Sequence, residues 1–196
     1  FKSEHMLVHH NHIGTPSDAA TARYNESFFR FFIRVIPQSL RSSFAAEKAM
    51  LSRKNLPWTD LSNPFFRYWA LQVAMILLAL VLGGWAGLGL FLWQAFIAVW
   101  QLELINYIEH YGLRRNEKER VNELHSWQSD KVVSRYFLID LSRHSDHHFH
   151  AAKPFNTLVS YENSPVLPGG YASMFLPALF PPLWFSLVDK RIPKIS

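Results

Sequence analysis

Residues 68–102 contain no Asp, Glu, Lys or Arg, a run of 35 residues bounded by Arg67 and Glu103. A soluble domain rarely needs such a stretch, whereas a bilayer does. As one straight helix it would be about 52 Å long, against a hydrocarbon core of ~30 Å. Gly83, Gly84, Gly87 and Gly89 offer a break near its middle. The run therefore predicts a helical hairpin over about 68–108, with spans near 68–84 and 88–108. Seven Lys/Arg lie from Arg30 to Arg67, eight from Arg114 to Lys153, and none at the turn. Basic residues gather on the cytoplasmic side, so both ends of the hairpin are expected there. The fold class this implies is an all-α membrane protein with cytoplasmic helices beside a transmembrane hairpin.

The net charge is +5. Its bases flank apolar segments, which points to a membrane surface rather than to nucleic acid. With no cysteine in the chain, disulfides, thiol catalysis and Cys-ligated zinc are excluded.

Thr15-Pro16 with Asp18 reads as a capped helix start. Tyr24, Phe28, Phe31, Phe32, Val35 and Ile36 follow at helical spacing among Arg23, Arg30 and Arg34, and Pro37 is expected to kink or end the helix. Such a stripe packs on a core or lies in the headgroup plane. Residues 113–135 read as a charged loop. Residues 171–188 are apolar but carry Pro177, Pro181 and Pro182, which predicts an interfacial or re-entrant cap rather than a regular span.

Histidines cluster in what remains. In Arg143-His144-Ser145-Asp146-His147-His148 the three imidazoles fall at i, i+3 and i+4, one face of a helix. Near the start, His5 and His9 are four apart and share a face, with His10 about a quarter-turn further round and Glu4 placed to brace an imidazole. At the end of the second span, Glu103, Asn106 and His110 form a polar stripe at 0, 3 and 7 on an apolar helix. Costly in lipid, such a stripe marks a cavity or site. His12 and His125 have no matching partner spacing. The expected topology puts segments 4–12 and 143–150 and His110 on one side of the membrane. Seven imidazoles are too many for one four-coordinate zinc and suit two metals in a shared pocket; imidazole itself accepts iron, zinc, copper or nickel.

Asn106-Tyr107-Ile108-Glu109-His110-Tyr111-Gly112-Leu113 and Arg143-His144-Ser145-Asp146-His147-His148 resemble signature motifs of the bacterial integral-membrane alkane 1-monooxygenases, within the membrane desaturase and hydroxylase superfamily. Glu4-His5 through His9-His10 resembles their second histidine box, and His125-Ser126-Trp127 and Phe180-Pro181-Pro182-Leu183-Trp184-Phe185 are also similar. Val8, Gln128 and Ser142 depart from the usual family residues. The resemblance implies O2-dependent hydroxylation of the terminal carbon of medium-chain alkanes or related hydrocarbons at two non-haem irons. It makes His5, His9, His10, His110, His144, His147 and His148 the iron ligands, with Glu4, Glu109 and Asp146 braced behind them, beside the stripe residues Glu103 and Asn106. It further implies a HExxxH-type box upstream of Phe1, residence in the bacterial inner membrane with the site facing the cytoplasm, and electrons from rubredoxin and its NAD(P)H-dependent reductase. Arg114, Arg115, Lys118 and Arg120 would favour docking of that acidic donor. Xylene-type hydroxylation and lipid desaturation use the same kind of site. A non-catalytic membrane metal-binding protein is the alternative of a different class.

Overall fold

A computed structural model describes residues 2–193. Among these the regular structure is helical: α1 Lys2–Glu4, α2 His10–His12, α3 Phe28–Arg53, α4 Pro64–His110, α5 Val132–Phe137, α6 His144–Phe149, α7 Tyr171–Leu179 and α8 Pro181–Val188. A π-turn, His5–His9, joins α1 to α2. No strand forms among the described residues; a single parallel bridge links Gln128 and Val166. The all-helical architecture expected from the sequence is present. The chain divides into two compact units, one of Phe44–Leu102 and one of Phe1–Ser43 with Glu103–Ser196.

Within Phe44–Leu102, Asn63 accepts the Phe65 N–H at 3.0 Å and Pro64 fills the first helical position of α4. Phe44 stacks on Phe65 at 4.1 Å, with Trp58 and Trp69 against them. Beyond this aromatic knot α4 is apolar and largely exposed, and it is the one helix among the described residues long and apolar enough to cross a membrane. It is not continuous. Gly84, at φ 58 and ψ −151, leaves the helical region inside the glycine cluster. A Cβ on Gly87 would lie 2.6 Å from the Ala79 carbonyl oxygen. Eight residues of unbroken helix would separate these positions by about 12 Å along the axis, so α4 does not run straight through Gly84.

The other unit holds the core. Phe28 and Phe31 of α3 pack on Tyr107 at ring distances of 5.8 and 5.6 Å. Trp184 of α8 packs on Tyr107 and Tyr111 at 5.2 and 5.4 Å. Gly112, at φ 71, ends α4; its N–H bonds the Ala22 carbonyl, and a Cβ there would meet Ile192 at 2.5 Å. The cap segment forms α7 and α8, broken between Leu179 and Pro181 and seated through Tyr171, Met174, Ala178, Trp184 and Val188.

Two local expectations are corrected. No helix starts at Thr15-Pro16, because the Asp18 carboxylate is taken by His9, Ala20 and Thr21, and the Thr15 hydroxyl donates to the His12 carbonyl. The helix begins instead at Phe28, with Ser27 Oγ accepting the Arg30 N–H at 3.4 Å. Pro37 does not end it. The bond that Pro37 cannot make is to the Ile33 carbonyl, and both residues lie on the exposed face, outside the core.

Candidate metal centre

All seven clustered histidines converge, in two adjacent groups. His9, His110, His144 and His148 form a buried group of four, and His5, His10 and His147 a half-buried group of three; in each, the candidate ligand nitrogens lie within 4.8 Å of one another. The groups meet where the His10 ring lies 4.8 Å from His148 and 4.9 Å from His147.

The π-turn sets which histidine goes where. A π-turn closes at i+5 rather than i+4, so His5 pairs with His10, Nε2 to Nε2 at 3.0 Å. His9 is released to the buried group. This corrects the expected pairing of His5 with His9. α6 contributes to both groups at α-helical spacing, with His144 and His148 in the first and His147 in the second. His110 arrives from the end of α4. Behind it, Asn106 donates to the Glu103 carboxylate at 3.1 Å, both side chains buried.

α6 has only six residues and is held from outside. Ser145 Oγ donates to the Ser126 carbonyl at 2.7 Å. The fully buried Asp146 accepts from Lys153 Nζ at 2.5 Å, Val159 N at 2.7 Å, Tyr161 Oη at 2.8 Å and His150 Nδ1 at 2.9 Å. Burial alone would raise the Asp146 pKa, but these donors hold it at about 2. Asp146 therefore turns away from the seven imidazoles and ties the following loop to α6. Glu109 does the reverse: its Oε2 lies 3.3 Å from His144 Nε2, on the side that faces His110 and His148. Glu4 is buried with Oε1 unpartnered, and burial pushes its carboxyl up to about 7.

The brace that sequence reasoning missed is Asp18. Its Oδ2 lies 2.9 Å from His9 Nδ1, with both side chains buried, and it also accepts from Thr21 Oγ1 at 2.6 Å. Burial opposes charge on both partners. Their mutual attraction prevails, raising His9 and holding Asp18 at about 2. The Thr15-Pro16-x-Asp18 pattern was the visible signal, but it also fits a helix cap.

The donor set suits a metal. Burial lowers the pKa of His144, His147 and His148 and brings His5 to about 3 and His10 to about 4, so these rings are neutral at pH 7 and carry lone pairs. His144 Nε2 faces His110 Nε2 at 3.2 Å and His148 Nε2 at 2.9 Å. His9 Nε2 and His147 Nε2 are buried without a hydrogen-bond partner. Unpartnered buried nitrogens are costly. A metal with bonds of about 2.1 Å sets neighbouring ligand nitrogens about 3.0–3.4 Å apart in octahedral or tetrahedral geometry, close to the separations found. With no cysteine in the chain, the donors gathered here are imidazole nitrogens, with a Glu109 carboxylate oxygen beside His144.

The other histidines lie outside both groups. His12 is exposed. His125 is buried as a cap, its Nδ1 accepting the Asn122 N–H at 3.1 Å. Arg115 is structural as well: it is buried and donates to the carbonyls of Ile13, Asn11 and Glu119. Arg114, Lys118 and Arg120 are exposed.

Comparison with known proteins covers the same stretch of the chain. The chain is 40% identical to alkane 1-monooxygenase 1 of Pseudomonas aeruginosa over 98% of this chain and 52% of that protein. It is 38% identical to the alkane 1-monooxygenase of Acinetobacter baylyi, covering 98% and 48%. It is 33% identical to the hydroxylase component of a Pseudomonas putida xylene/toluene monooxygenase, covering 97% and 51%. The chain thus spans about half the length of the curated relatives it matches. A family model described as fatty acid desaturase matches residues 1–178. That stretch takes in every histidine of the two groups together with Asp18, Glu109 and Asp146, and the chain belongs to the fatty acid desaturase family.

Proposed function

We propose that this chain carries the metal centre of a membrane monooxygenase that hydroxylates the terminal carbon of medium-chain alkanes or related hydrocarbons. The observation that carries the reading is the pair of adjacent histidine groups, four and three, assembled from three separate segments. Its likeness to alkane 1-monooxygenases supports the chemistry. All seven histidines are proposed as ligands to two non-haem irons, which supply the reductive activation of O2 needed at an unactivated C–H bond.

The chain's own residues hold this centre. Asp18 fixes the proton on His9 Nδ1 and leaves Nε2 aimed at the pocket. Asp146 and Ser145 fix α6, and so the directions of His144, His147 and His148. Glu109 sets a carboxylate oxygen at the buried group. Buried Tyr107, Trp127, Tyr171 and Trp184 exclude water from the same unit. α4 acts as a transmembrane hairpin of two arms about Gly84 in the inner membrane, both ends cytoplasmic, and an alkane reaches the site from the lipid. Rubredoxin, reduced by its NAD(P)H-dependent reductase, is the proposed electron donor, drawn to Arg114, Lys118 and Arg120.

The relative that acts on xylene and toluene favours a second reading, hydroxylation of a methyl group on an aromatic ring. Gas chromatography of products from the whole protein, given donor, O2 and either octane, xylene or a fatty acyl substrate, separates the two. 1-Octanol with about two irons per chain supports the proposal. A methylbenzyl alcohol alone moves it to the second reading. An alkene without alcohol, or bound zinc in place of iron, sinks both.

A further inference from the structure

α3 carries three faces, not two. Phe28, Phe31 and Val35 are fully buried in the core. At about 100° per residue, Phe29, Ile33 and Leu40 fall within roughly 40° of one another on a second face. That face is 52, 76 and 54% exposed at these residues. Arg30 and Arg41 are exposed and border it on the side away from the core. Gln38, also exposed, stands nearly opposite the apolar stripe. No acidic residue lies between Glu26 and Glu47, and the Glu26 carboxylate is occupied by Arg34 at 2.8 Å. Large apolar side chains lined along an exposed face are unusual for a surface in water. An apolar stripe whose flanking charges are arginine matches an anionic lipid surface, with the stripe among the upper acyl chains and the guanidinium groups at the phosphates.

We infer that the first half of α3 is a membrane-surface helix. It lies in the plane of the bilayer, with Phe29, Ile33 and Leu40 in lipid and Arg30 and Arg41 on anionic headgroups. The inference rests on the reading that α4 inserts into a bilayer, and its test keeps the two apart.

The chain has no cysteine, so with any cysteine elsewhere in the whole protein replaced by serine, single-cysteine variants can be spin-labelled without background. Ile33→Cys and Leu40→Cys probe the stripe, Gln38→Cys the water face, and Leu77→Cys the interior of α4. In vesicles containing phosphatidylglycerol, collisions with O2 should exceed those with a water-soluble nickel chelate at residues 33, 40 and 77, most strongly at 77. The order should reverse at 38. Adding Arg30→Glu and Arg41→Glu should raise nickel-chelate access at residue 33 and leave residue 77 unchanged. If residue 77 itself meets the chelate, insertion of α4 fails, and the inference with it. If 77 is in lipid while 33 and 40 meet the chelate, only the α3 inference falls. It falls equally if 33 and 40 are closed to both agents, which would mean that protein covers the stripe.

Discussion

His147 and His148 are neighbours in sequence, yet α6 sends them to different groups. His148 joins a set of four that is buried throughout; His147 joins a set of three that is half-buried. The buried set has support of its own, with Asp18 behind His9 and Glu109 beside His144. Among the described residues no carboxylate partners His10 or His147, and His10 Nδ1 and His147 Nε2 are unpartnered. Dense, braced ligands bind tightly because little has to be ordered when the metal arrives. The difference teaches that the two halves of one centre need not be equally complete. The group of four is buried and braced by carboxylates, while the group of three is half-buried and, among the described residues, has no carboxylate in contact with His10 or His147.

The largest effect should come from the adjacent pair. His148→Ala is expected to remove the tightly held ion and abolish hydroxylation while membrane insertion is kept. His147→Ala is expected to weaken the second ion and spare the first. Iron per chain and competition against a chelator of known affinity read both. Equal loss of both ions in both variants would mean that the groups act as one site, and the comparison would break.

Next in size is Asp18→Asn. It removes the charge that fixes His9 while leaving an acceptor, and among the described residues no carboxylate contacts His10. A loss of about 10- to 100-fold in affinity is expected at the buried group alone, read by the same chelator competition. An unchanged affinity would show that packing by itself aims His9.

A smaller and graded effect is expected from pH. His5 and His10 titrate near 3 and 4 in the fold, against about 6.5 in an unfolded chain. Between about pH 6.5 and 4 the unfolded chain takes up protons that the fold refuses, so acid destabilises the metal-free protein across that window. The His9–Asp18 pair runs the other way. The raised His9 contributes stability that is present below about pH 6.5 and lost as pH rises through its folded value. The Asp18 contribution persists down to about pH 2. In the half-buried group burial outweighs the attraction of Asp18 for His5 and His10. Melting temperature should fall from pH 7 to 4 without metal, and saturating metal should move that fall to lower pH. A flat profile would mean that these imidazoles are not held neutral by burial.

Much of this was legible in the sequence, and the reasons are specific. The i, i+3, i+4 spacing of His144, His147 and His148 brings all three to one side of α6, and the charge-free run with its glycines marks the interruption at Gly84. What spacing could not give was the π-turn. One extra residue in the turn exchanges His9 for His10, and local sequence holds no sign of it, because burial and Asp18 together set the register. Asp18 illustrates the same limit. The residue pattern of a cap also suits a brace, and only the fold shows which hydrogen bonds win. Asp146 and Glu109 each sit beside a histidine in the chain, but proximity in sequence did not reveal that one faces the loop and the other the pocket.

The smallest effect separates burial for chemistry from burial for structure. His125 is as buried as His148, but it lies outside both groups and serves a capping box. Its Nδ1 accepts the Asn122 N–H, and Asn122 Oδ1 accepts the Leu124 N–H at 2.9 Å. His125→Ala should therefore cost about 1 kcal/mol of stability and leave metal content unchanged. His125→Gln restores an acceptor at the position a capping box favours and should recover most of the loss. Thermal unfolding and metal analysis on the three proteins test this together. Loss of metal in His125→Ala with folding intact would place an eighth imidazole at the centre and unbalance the four-and-three division.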